Sequence, residues 1–256
     1  MRRNLLREQL KSDRLLIGAN LSFPSPALVE FCGHLGFDWV FIDAEHGGVG
    51  VETCYSLVTA ADAVGLASVV RVPTNEASPI LSYAETGAHG LIAPHIVSKS
   101  DAERLVRSAN YRPRGNRGLF SGSRAANYGL TQTPKEWAED TDSQPVTIAM
   151  IEDVEALDAL TEIANVPGVG AFFIGPADLA MSMGVPGGAR DPRVQARVRG
   201  AAEHLTLDGK VVGTTFSDVD SGKEAARLGV RMLAISVGGI LAVGARGVIE
   251  AIRAND

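Results

Sequence analysis

Eight short apolar runs recur along the chain, and segments with a helical pattern separate them. They span residues 15–22, 38–46, 67–73, 89–96, 145–152, 170–176, 210–216 and 231–239. Most of the runs are continuous in apolar residues rather than alternating with polar ones. This pattern predicts strands that are covered on both faces, as in a parallel sheet.

The segments between the runs predict helices, since several begin near a proline or serine and end at a glycine, as at Gly36 and Gly65. Eight strands that alternate with helices predict an α/β fold, a (β/α)₈ TIM barrel, with residues 1–256 in a single domain. The alternative is a doubly wound open sheet. The C-terminal helix covers about 239–254. The stretch 112–141 is a long irregular insert, and such loops are usually functional or disordered.

Charged residues stand where several of the apolar runs stop. In a (β/α)₈ barrel the carboxyl ends of all strands meet at one mouth, where catalytic residues collect. The residues at these ends include Asp43, Glu45, His46, Arg71, Glu152 and Asp178. The sequence therefore predicts a polar site at the mouth.

Each of these residues also has a structural explanation. Arg71 could form an ion pair, Glu152 could cap a helix or lie on the surface, and Asp178 could cap the helix that follows it. His46 could be packed, and we interpret His95 as structural. The joint pattern favours a site over these separate explanations.

The spacing of Glu152 and Asp178 places two carboxylates on consecutive predicted strands, side by side. Two oxygen ligands without a nearby cysteine cluster suit a hard divalent ion such as Mg²⁺ or Mn²⁺. The alternative is an acid/base pair of carboxylates, as in glycosidases. No predicted strand ends in a lysine, so a Schiff-base mechanism lacks an obvious amine.

The other polar groups at the mouth fit a small 2-oxo acid. Arg71 can bind an anion in bidentate fashion, and His46 is suited to proton transfer near neutral pH. The start of the helix after Asp178 presents N–H groups that could hold a carboxylate. Together with a metal ion, these groups would bind the 2-oxo acid and remove or return a proton.

The composition argues against several other classes of protein. The 256 residues carry a formal net charge of −6, which disfavours binding to nucleic acid or to an anionic membrane. No run approaches the roughly 18 apolar residues of a membrane span, and the charged N-terminus does not resemble a secretory signal. Cys32 and Cys54 lack metal-site spacing, so we expect reduced thiols in a cytoplasmic protein.

Six motifs follow one another along the chain, of which "FIGPADLAMSMG" (173–184) is the most specific. The others are "GFDWVFIDAEHG" (36–47), "VVRVPTNE" (69–76), "ETGAHGLIAPHI" (85–96), "YRPRGNRG" (111–118) and "IEDVEALD" (151–158). Together they resemble the HpcH/HpaI aldolases, class II pyruvate aldolases that depend on a divalent metal. The resemblance covers nearly the whole chain.

The resemblance implies that Glu152 and Asp178 hold the metal, which would be Mg²⁺ or Mn²⁺, with Co²⁺ as a further candidate. It implies that Arg71 binds pyruvate and stabilises its enolate. It also implies that His46 is the catalytic acid/base and that it pairs with an acidic residue at the position of Glu85.

The implied reaction is the reversible cleavage of a 4-hydroxy-2-oxo acid into pyruvate and an aldehyde through a pyruvate enolate. Backbone amides near Ala177 and Asp178 would bind the pyruvate carboxylate. Family members are commonly hexamers, built as trimers of dimers that exchange C-terminal helices, so we expect a homo-oligomer whose partners are small molecules.

Two residues depart from the family pattern. Met150 stands where many members have glutamine, which predicts a drier site, and Glu85 stands where the best-known members have aspartate. We expect the insert 112–141 and the loops near Asn20, Ser22 and Phe216 to shape the aldehyde pocket. The candidate contacts from the insert are Ser121, Ser123 and Arg124.

Two alternative functions stay open. A CoA-ester lyase of the citrate lyase β-subunit type would need basic residues at the rim of a nucleotide groove, for which Arg112, Arg114 and Arg117 are the only cluster. A non-catalytic barrel would bind a small acid without turnover, which the full set of charged strand ends disfavours.

Overall fold

The structure is a computed structural model that describes residues 3–185 and 188–254. Eight parallel strands pair in sequence order, and β8 pairs with β1 to close a barrel. The strands are β1 (Leu16–Asn20), β2 (Trp39–Asp43), β3 (Ala67–Arg71), β4 (Gly90–Ala93), β5 (Val146–Ile151), β6 (Ala171–Ile174), β7 (Val212–Phe216) and β8 (Met232–Ser236). The predicted TIM barrel is confirmed, since each apolar run contains one strand.

A short 3₁₀ helix covers Asn127–Gly129, and the described residues form twelve α-helices around the barrel. They are α1 (Leu5–Leu10), α2 (Pro26–Leu35), α3 (Val51–Ala63), α4 (Ala77–Glu85), α5 (Lys99–Ala109), α6 (Pro134–Glu139), α7 (Val154–Asp158), α8 (Leu160–Ala164), α9 (Pro176–Ser182), α10 (Pro192–Leu207), α11 (Val219–Arg227) and α12 (Val237–Arg253). No described helix is long and apolar enough to cross a membrane. Cys32 and Cys54 are buried free thiols.

The strand side chains alternate between the barrel interior and the shell beneath the helices. Trp39, Phe41 and Phe173 form the centre of the interior, with ring centroids 5.6 to 6.3 Å apart. The same alternation carries Asp43 and Arg71 toward the interior at the carboxyl ends of their strands. Packing of the apolar interior thus sets the direction in which the polar residues at the mouth point.

Helix α1 closes the amino end of the barrel. Leu6 is fully buried with the interior residues, and the Asn4 side-chain amide donates to the backbone oxygens of His89 and Gln144, each at 2.8 Å. The amino end is therefore sealed, and the open mouth lies at the carboxyl ends of the strands.

The insert 112–141 lies at this sealed end, because it connects the end of α5 to the start of β5. Arg124 donates to the backbone oxygen of Thr86 at 3.0 Å and pairs with Asp62 at 2.6 Å, at the C-terminal ends of α4 and α3. The insert therefore does not reach the mouth of its own barrel, and its role in an aldehyde pocket stays a prediction. Any contact of Ser121, Ser123 and Arg124 with a mouth could be made only to a neighbouring copy.

The insert is also less irregular than predicted. Thr133 and Glu136 form a capping box around Pro134 at the start of α6. Trp137 of this helix is buried, and its indole N–H donates to the Tyr111 hydroxyl at 3.1 Å. A small satellite core holds the insert against the barrel.

Helix α12 contacts the barrel only near its start, and none of its residues is buried. Its exposed apolar side chains are Ile240, Leu241, Val243, Val248, Ile249 and Ile252. An exposed apolar patch of this size is typical of an interaction surface.

Candidate active site

Arg71 lies at the centre of the charged groups at the mouth and is 7% exposed. Its Nε and Nη2 donate to the two carboxylate oxygens of Asp43 at 3.0 and 2.6 Å. This bidentate pair leaves Nη1 directed at Glu45 Oε2 (3.2 Å), Asp178 Oδ2 (3.8 Å) and Glu152 Oε2 (4.0 Å). One edge of the guanidinium is thus held by the protein, and the other faces the carboxylates where a ligand would bind.

Asp43 holds Arg71 in this orientation, a contact that the sequence analysis did not assign to it. Burial raises the pKa of Asp43, but the hydrogen bonds and charge of Arg71 lower it by more, so the net pKa falls. Burial likewise lowers the pKa of Arg71, and Asp43 outweighs that effect and raises it. Both groups are therefore charged near neutral pH.

Glu152 is a buried carboxylate with an unsatisfied oxygen. It is 1% exposed, and Oε1 accepts the backbone N–H of His95 at 3.0 Å. Among the described residues Oε2 has no hydrogen-bond partner. Burial, with a contribution from the Asp178 carboxylate, raises the pKa of Glu152 to about 7. Such an oxygen is costly when ionised unless a cation lies beside it.

Asp178 provides the second carboxylate, but it does not cap a helix that follows it. Helix α9 begins at Pro176 with Gly175 as its N-cap, so Asp178 lies within the first turn. A Cβ atom at Gly175 would lie 2.9 Å from Glu152 Oε2. Glycine is therefore needed there, since a side chain would fill the space beside the Glu152 oxygen.

The two carboxylates fit a hard divalent cation. Glu152 offers an orphaned buried oxygen, and Asp178 is 38% exposed, so the place between them is open to the mouth. No group of three or more His, Cys, Asp or Glu side chains is arranged for a metal within residues 3–185 and 188–254. Two protein ligands leave the other coordination positions to substrate and water, as is common for Mg²⁺.

His46 lies at the rim of the mouth with its side chain 61% exposed. Its backbone N–H donates to Asp43 Oδ1 at 3.1 Å, which fixes the loop, and its Nε2 lies 3.9 Å from Glu45 Oε2. The imidazole is thus accessible to a substrate in the mouth.

Glu85 is not brought to His46 in the same chain. It lies at the C-terminal end of α4, which runs antiparallel to the strands and ends at the sealed end of the barrel. Its Oε1 accepts Arg117 Nη2 at 2.6 Å, and Arg117 Nη1 donates to Gln144 at 3.2 Å, just before β5. The predicted pairing with His46 could form only between two copies of the chain.

His95 belongs to the site, although the sequence favoured a structural role. Its ring Nδ1 lies 3.0 Å from Asp153 Oδ2, and Nε2 lies 3.7 Å from Glu45 Oε1. Burial lowers the pKa of His95, but Asp153 and then Glu152 raise it by more. The signal in the sequence was its place directly after the end of β4, beside Pro94.

Comparisons with known proteins find a matching family and similar aldolases. A model of the HpcH/HpaI aldolase/citrate lyase family matches residues 17–245. The chain is 35% identical over 239 residues to a hydroxypyruvate/pyruvate aldolase of Paraburkholderia phytofirmans, covering 91% of each chain. It is 31% identical over 234 residues to a 4-hydroxy-2-oxo-heptane-1,7-dioate aldolase of Escherichia coli, covering 91% of this chain and 88% of that one.

A solved structure shares the fold over the full length. The crystal structure of an HpcH/HpaI aldolase/citrate lyase family protein from Burkholderia cenocepacia has a TM-score of 0.89 and 31% sequence identity. The match covers 98% of this chain and 99% of that chain.

Proposed function

Because this chain belongs to the HpcH/HpaI aldolase family and is an aldolase, a carbon–carbon lyase, we propose that it cleaves a 4-hydroxy-2-oxo acid reversibly into pyruvate and an aldehyde with a divalent metal. The observation that carries the proposal is that the Arg71 edge not held by Asp43 faces a buried carboxylate oxygen of Glu152 that has no hydrogen-bond partner among the described residues. Arg71 Nη1 and Glu152 Oε2 lie 4.0 Å apart, with Asp178 beside them.

Glu152 and Asp178 are the proposed holders of the metal, which would be Mg²⁺ or Mn²⁺, with Co²⁺ as a further candidate. When bound, the ion would polarise the keto group of the 2-oxo acid and favour its enolate. The first-turn amides of Ala177 and Asp178 have no partner within α9 and would donate hydrogen bonds to the pyruvate carboxylate. These contacts would place the keto oxygen next to the edge of Arg71 that Asp43 does not hold.

Proton transfer is assigned to His46. It would remove the proton of the C4 hydroxyl, and the electrons of the O–H bond would form the aldehyde as the C3–C4 bond breaks. The electrons of that bond would pass into the enolate of pyruvate, whose negative charge Arg71 stabilises. Protonation at C3 then gives pyruvate, and the reverse sequence gives the aldol product.

We propose that the chain forms a hexamer, built as a trimer of dimers that exchange C-terminal helices. This assembly would complete the site. The exposed apolar face of α12 supports exchange of this helix between copies. Glu85, at the sealed end of its own barrel, could meet His46 only in such an assembly. The cytoplasmic location stays a prediction from the sequence.

The CoA-ester lyase is weakened by the position of its basic cluster. Arg117 is buried against Glu85 and stacks on Tyr111 at the sealed end of the barrel, 4.8 Å from the ring centroid. It therefore cannot line a nucleotide groove at the mouth of its own barrel.

The metal assignment is tested with Glu152→Ala. We expect this change to abolish Mn²⁺ binding in titration calorimetry and to abolish pyruvate release from a 4-hydroxy-2-oxo acid. Glu155→Ala is the matched control, because Glu155 is exposed on α7, three residues further on. Undiminished activity of Glu152→Ala would contradict the proposal.

A further inference from the structure

The chain leaves the barrel after β4 through one residue with an unusual backbone. Strand β4 pairs with β5 as far as Ala93, and the Ile96 N–H then bonds to the Met150 backbone oxygen at 3.3 Å. Between these two contacts lies His95, which has a φ of 52°. The pairing of β4 with β5 is thus interrupted at the mouth, where the chain turns at His95.

This left-handed backbone is uncommon for a residue with a β-carbon. Three described residues other than glycine have a positive φ, and two of them, Asn127 and Tyr128, lie in the insert at the sealed end. The third is His95, which lies at the mouth among the charged side chains. A backbone of this kind costs free energy and persists where the surrounding contacts determine it, which is often at a functional site. The contacts of His95 must therefore offset this cost.

The turn directs a backbone N–H to the buried carboxylate of Glu152. Of residues 94–96, Pro94 has no N–H to donate, and the Ile96 N–H is already bonded to Met150. The His95 N–H donates to Glu152 Oε1 at 3.0 Å. Because Glu152 is 1% exposed, this hydrogen bond compensates Oε1 for the water that it has lost.

The hydrogen bond fixes which oxygen of Glu152 faces the other charged groups. With Oε1 held by the His95 N–H, Oε2 has no hydrogen-bond partner among the described residues. A Cβ atom at Gly175 would lie 2.9 Å from Oε2, so glycine keeps the space beside this oxygen open. The left-handed backbone thus presents one fixed oxygen to the place between Glu152 and Asp178.

Fixing Oε1 also limits a competing contact of Glu152. Arg71 Nη1 lies 4.0 Å from Oε2, which is beyond hydrogen-bond distance. A carboxylate released from the His95 N–H could close this gap and form a direct ion pair with the guanidinium. Such a pair would occupy the oxygen that a cation needs, so release of Oε1 would weaken cation binding.

The imidazole ring stabilises the turn and does not itself hold Glu152. Its Nδ1 lies 3.0 Å from Asp153 Oδ2 but 3.7 Å from Glu152 Oε1, which is too long for a hydrogen bond. Its Nε2 lies 3.7 Å from Glu45 Oε1. The Asp153 carboxylate is available for the ring, because Asp153 is the N-cap of α7 without making a side-chain cap hydrogen bond. The ring and the N–H of His95 therefore have separate tasks.

We propose that His95 is a positioning residue whose left-handed backbone orients Glu152 for the divalent cation. This inference rests on the proposed metal-dependent function and adds a residue that acts through a proposed metal ligand. The N–H holds Oε1, the contact of the ring with Asp153 holds the turn, and Oε2 is presented with Asp178 to the cation. A purely structural turn would stabilise the fold and leave the metal affinity of the folded protein unchanged.

Three substitutions separate the backbone of His95 from its ring. His95→Ala and His95→Gly both remove the ring, so any effect of the ring on the cation is lost equally in both variants. They differ in the backbone, because glycine adopts the left-handed conformation readily and alanine does not. His95→Asn is intermediate, since asparagine is enriched in this conformation.

We expect Mn²⁺ binding in titration calorimetry to be weakened about tenfold in His95→Ala. Without metal, the alanine backbone relaxes and turns its N–H away from Glu152, and metal binding must then restore the left-handed conformation. His95→Gly is expected to recover most of the loss, because glycine has no such cost. The affinity of His95→Asn should lie between those of the alanine and glycine variants.

Gly209→Ala is the matched control for the backbone cost. Gly209 has a φ of 70° in the exposed loop between α10 and β7, at the sealed end, and a Cβ atom there would meet nothing within 4 Å. We expect this variant to lower the melting temperature and to keep the wild-type Mn²⁺ affinity. Thermal melting in EDTA, at one protein concentration, shows for every variant how much folding is lost.

The comparison of alanine with glycine decides the inference. Wild-type Mn²⁺ affinity in His95→Ala would overturn it, even if the melting temperature fell, because the turn would then serve the fold alone. Equal loss of affinity in His95→Ala and His95→Gly would overturn it too, because the ring and not the backbone would then matter.

The wild type and Glu152→Ala report on the proposed function separately. If the wild type binds Mn²⁺ and Glu152→Ala does not, the metal assignment is supported whatever the His95 variants show. If the wild type binds no Mn²⁺, the metal assignment fails and the inference about His95 fails with it.

Discussion

Ionised Glu152 destabilises the metal-free protein, and Glu152→Gln removes this destabilisation. Its pKa is raised from 4.5 to about 7, so the folded protein binds this proton more tightly than the unfolded chain does. The stabilisation is fully present below pH 4.5 and is lost as the pH rises through 7. Glutamine has the shape of the protonated acid at every pH, so the variant keeps this stabilisation as the pH rises.

The size of the effect follows from the pKa. A rise from 4.5 to about 7 corresponds to about 3 kcal/mol in the free energy of unfolding. The free energy of unfolding of Glu152→Gln minus that of the wild type should therefore rise by about 3 kcal/mol from pH 4 to pH 8. Any constant effect of the amide cancels, because only the change of the difference with pH is used.

The assay is urea unfolding in EDTA at both pH values and at fixed protein concentration. Fluorescence of the buried Trp39 and Trp137 reports the transition. Glu155→Gln, at an exposed position, is the control. Added Mn²⁺ should stabilise the wild type at pH 8 and leave Glu152→Gln unchanged.

The reasoning is refuted if the wild type and Glu152→Gln show the same pH dependence in EDTA. That result would mean that Glu152 ionises in the folded protein as easily as in the unfolded chain. The buried orphaned oxygen would then create no demand for a cation.

Three further predictions concern Arg71, Asp43 and α12. Arg71→Ala should lower kcat by orders of magnitude while Mn²⁺ stays bound in calorimetry, and a near-wild-type rate would remove Arg71 from its role. Asp43→Asn should cost about 3 kcal/mol in urea unfolding, because it leaves the buried guanidinium without its bidentate partner, and an unchanged unfolding midpoint would contradict this. Ile249→Lys in the exposed apolar face of α12 should reduce the oligomer seen in sedimentation, whereas a single assembly of unchanged mass would show that this face lies outside the interface.

The fold and the position of the carboxylates at the mouth could be predicted from the sequence because both depend on local patterns. Each strand is a continuous apolar run, and the residue just beyond a run lies at the mouth, as Glu152 does. The fourth run was predicted to extend to 96, but β4 ends at Ala93, because Pro94 has no backbone N–H to donate and His95 turns into the left-handed conformation.

Other parts of the site depend on which end of the barrel a residue occupies. The resemblance pairs Glu85 with His46, yet Glu85 ends a helix and so lies at the sealed end. The insert 112–141 precedes a strand, and segments before a strand lie at the amino end of the barrel. The rule that located Arg71 at the mouth would therefore have placed the insert at the sealed end. The left-handed backbone of His95 could not be predicted, since its contacts with Asp153 and Glu152 are tertiary.

Loss of the pyruvate methyl protons in D₂O, followed by NMR, tests the central claim most directly, because it needs no knowledge of the aldehyde. We predict loss of the methyl signal with Mg²⁺ or Mn²⁺, no loss in EDTA, and none in Glu152→Ala with metal present. Exchange that continues in EDTA, or no exchange with any divalent metal, would contradict a metal-dependent pyruvate enolate at the mouth of this barrel.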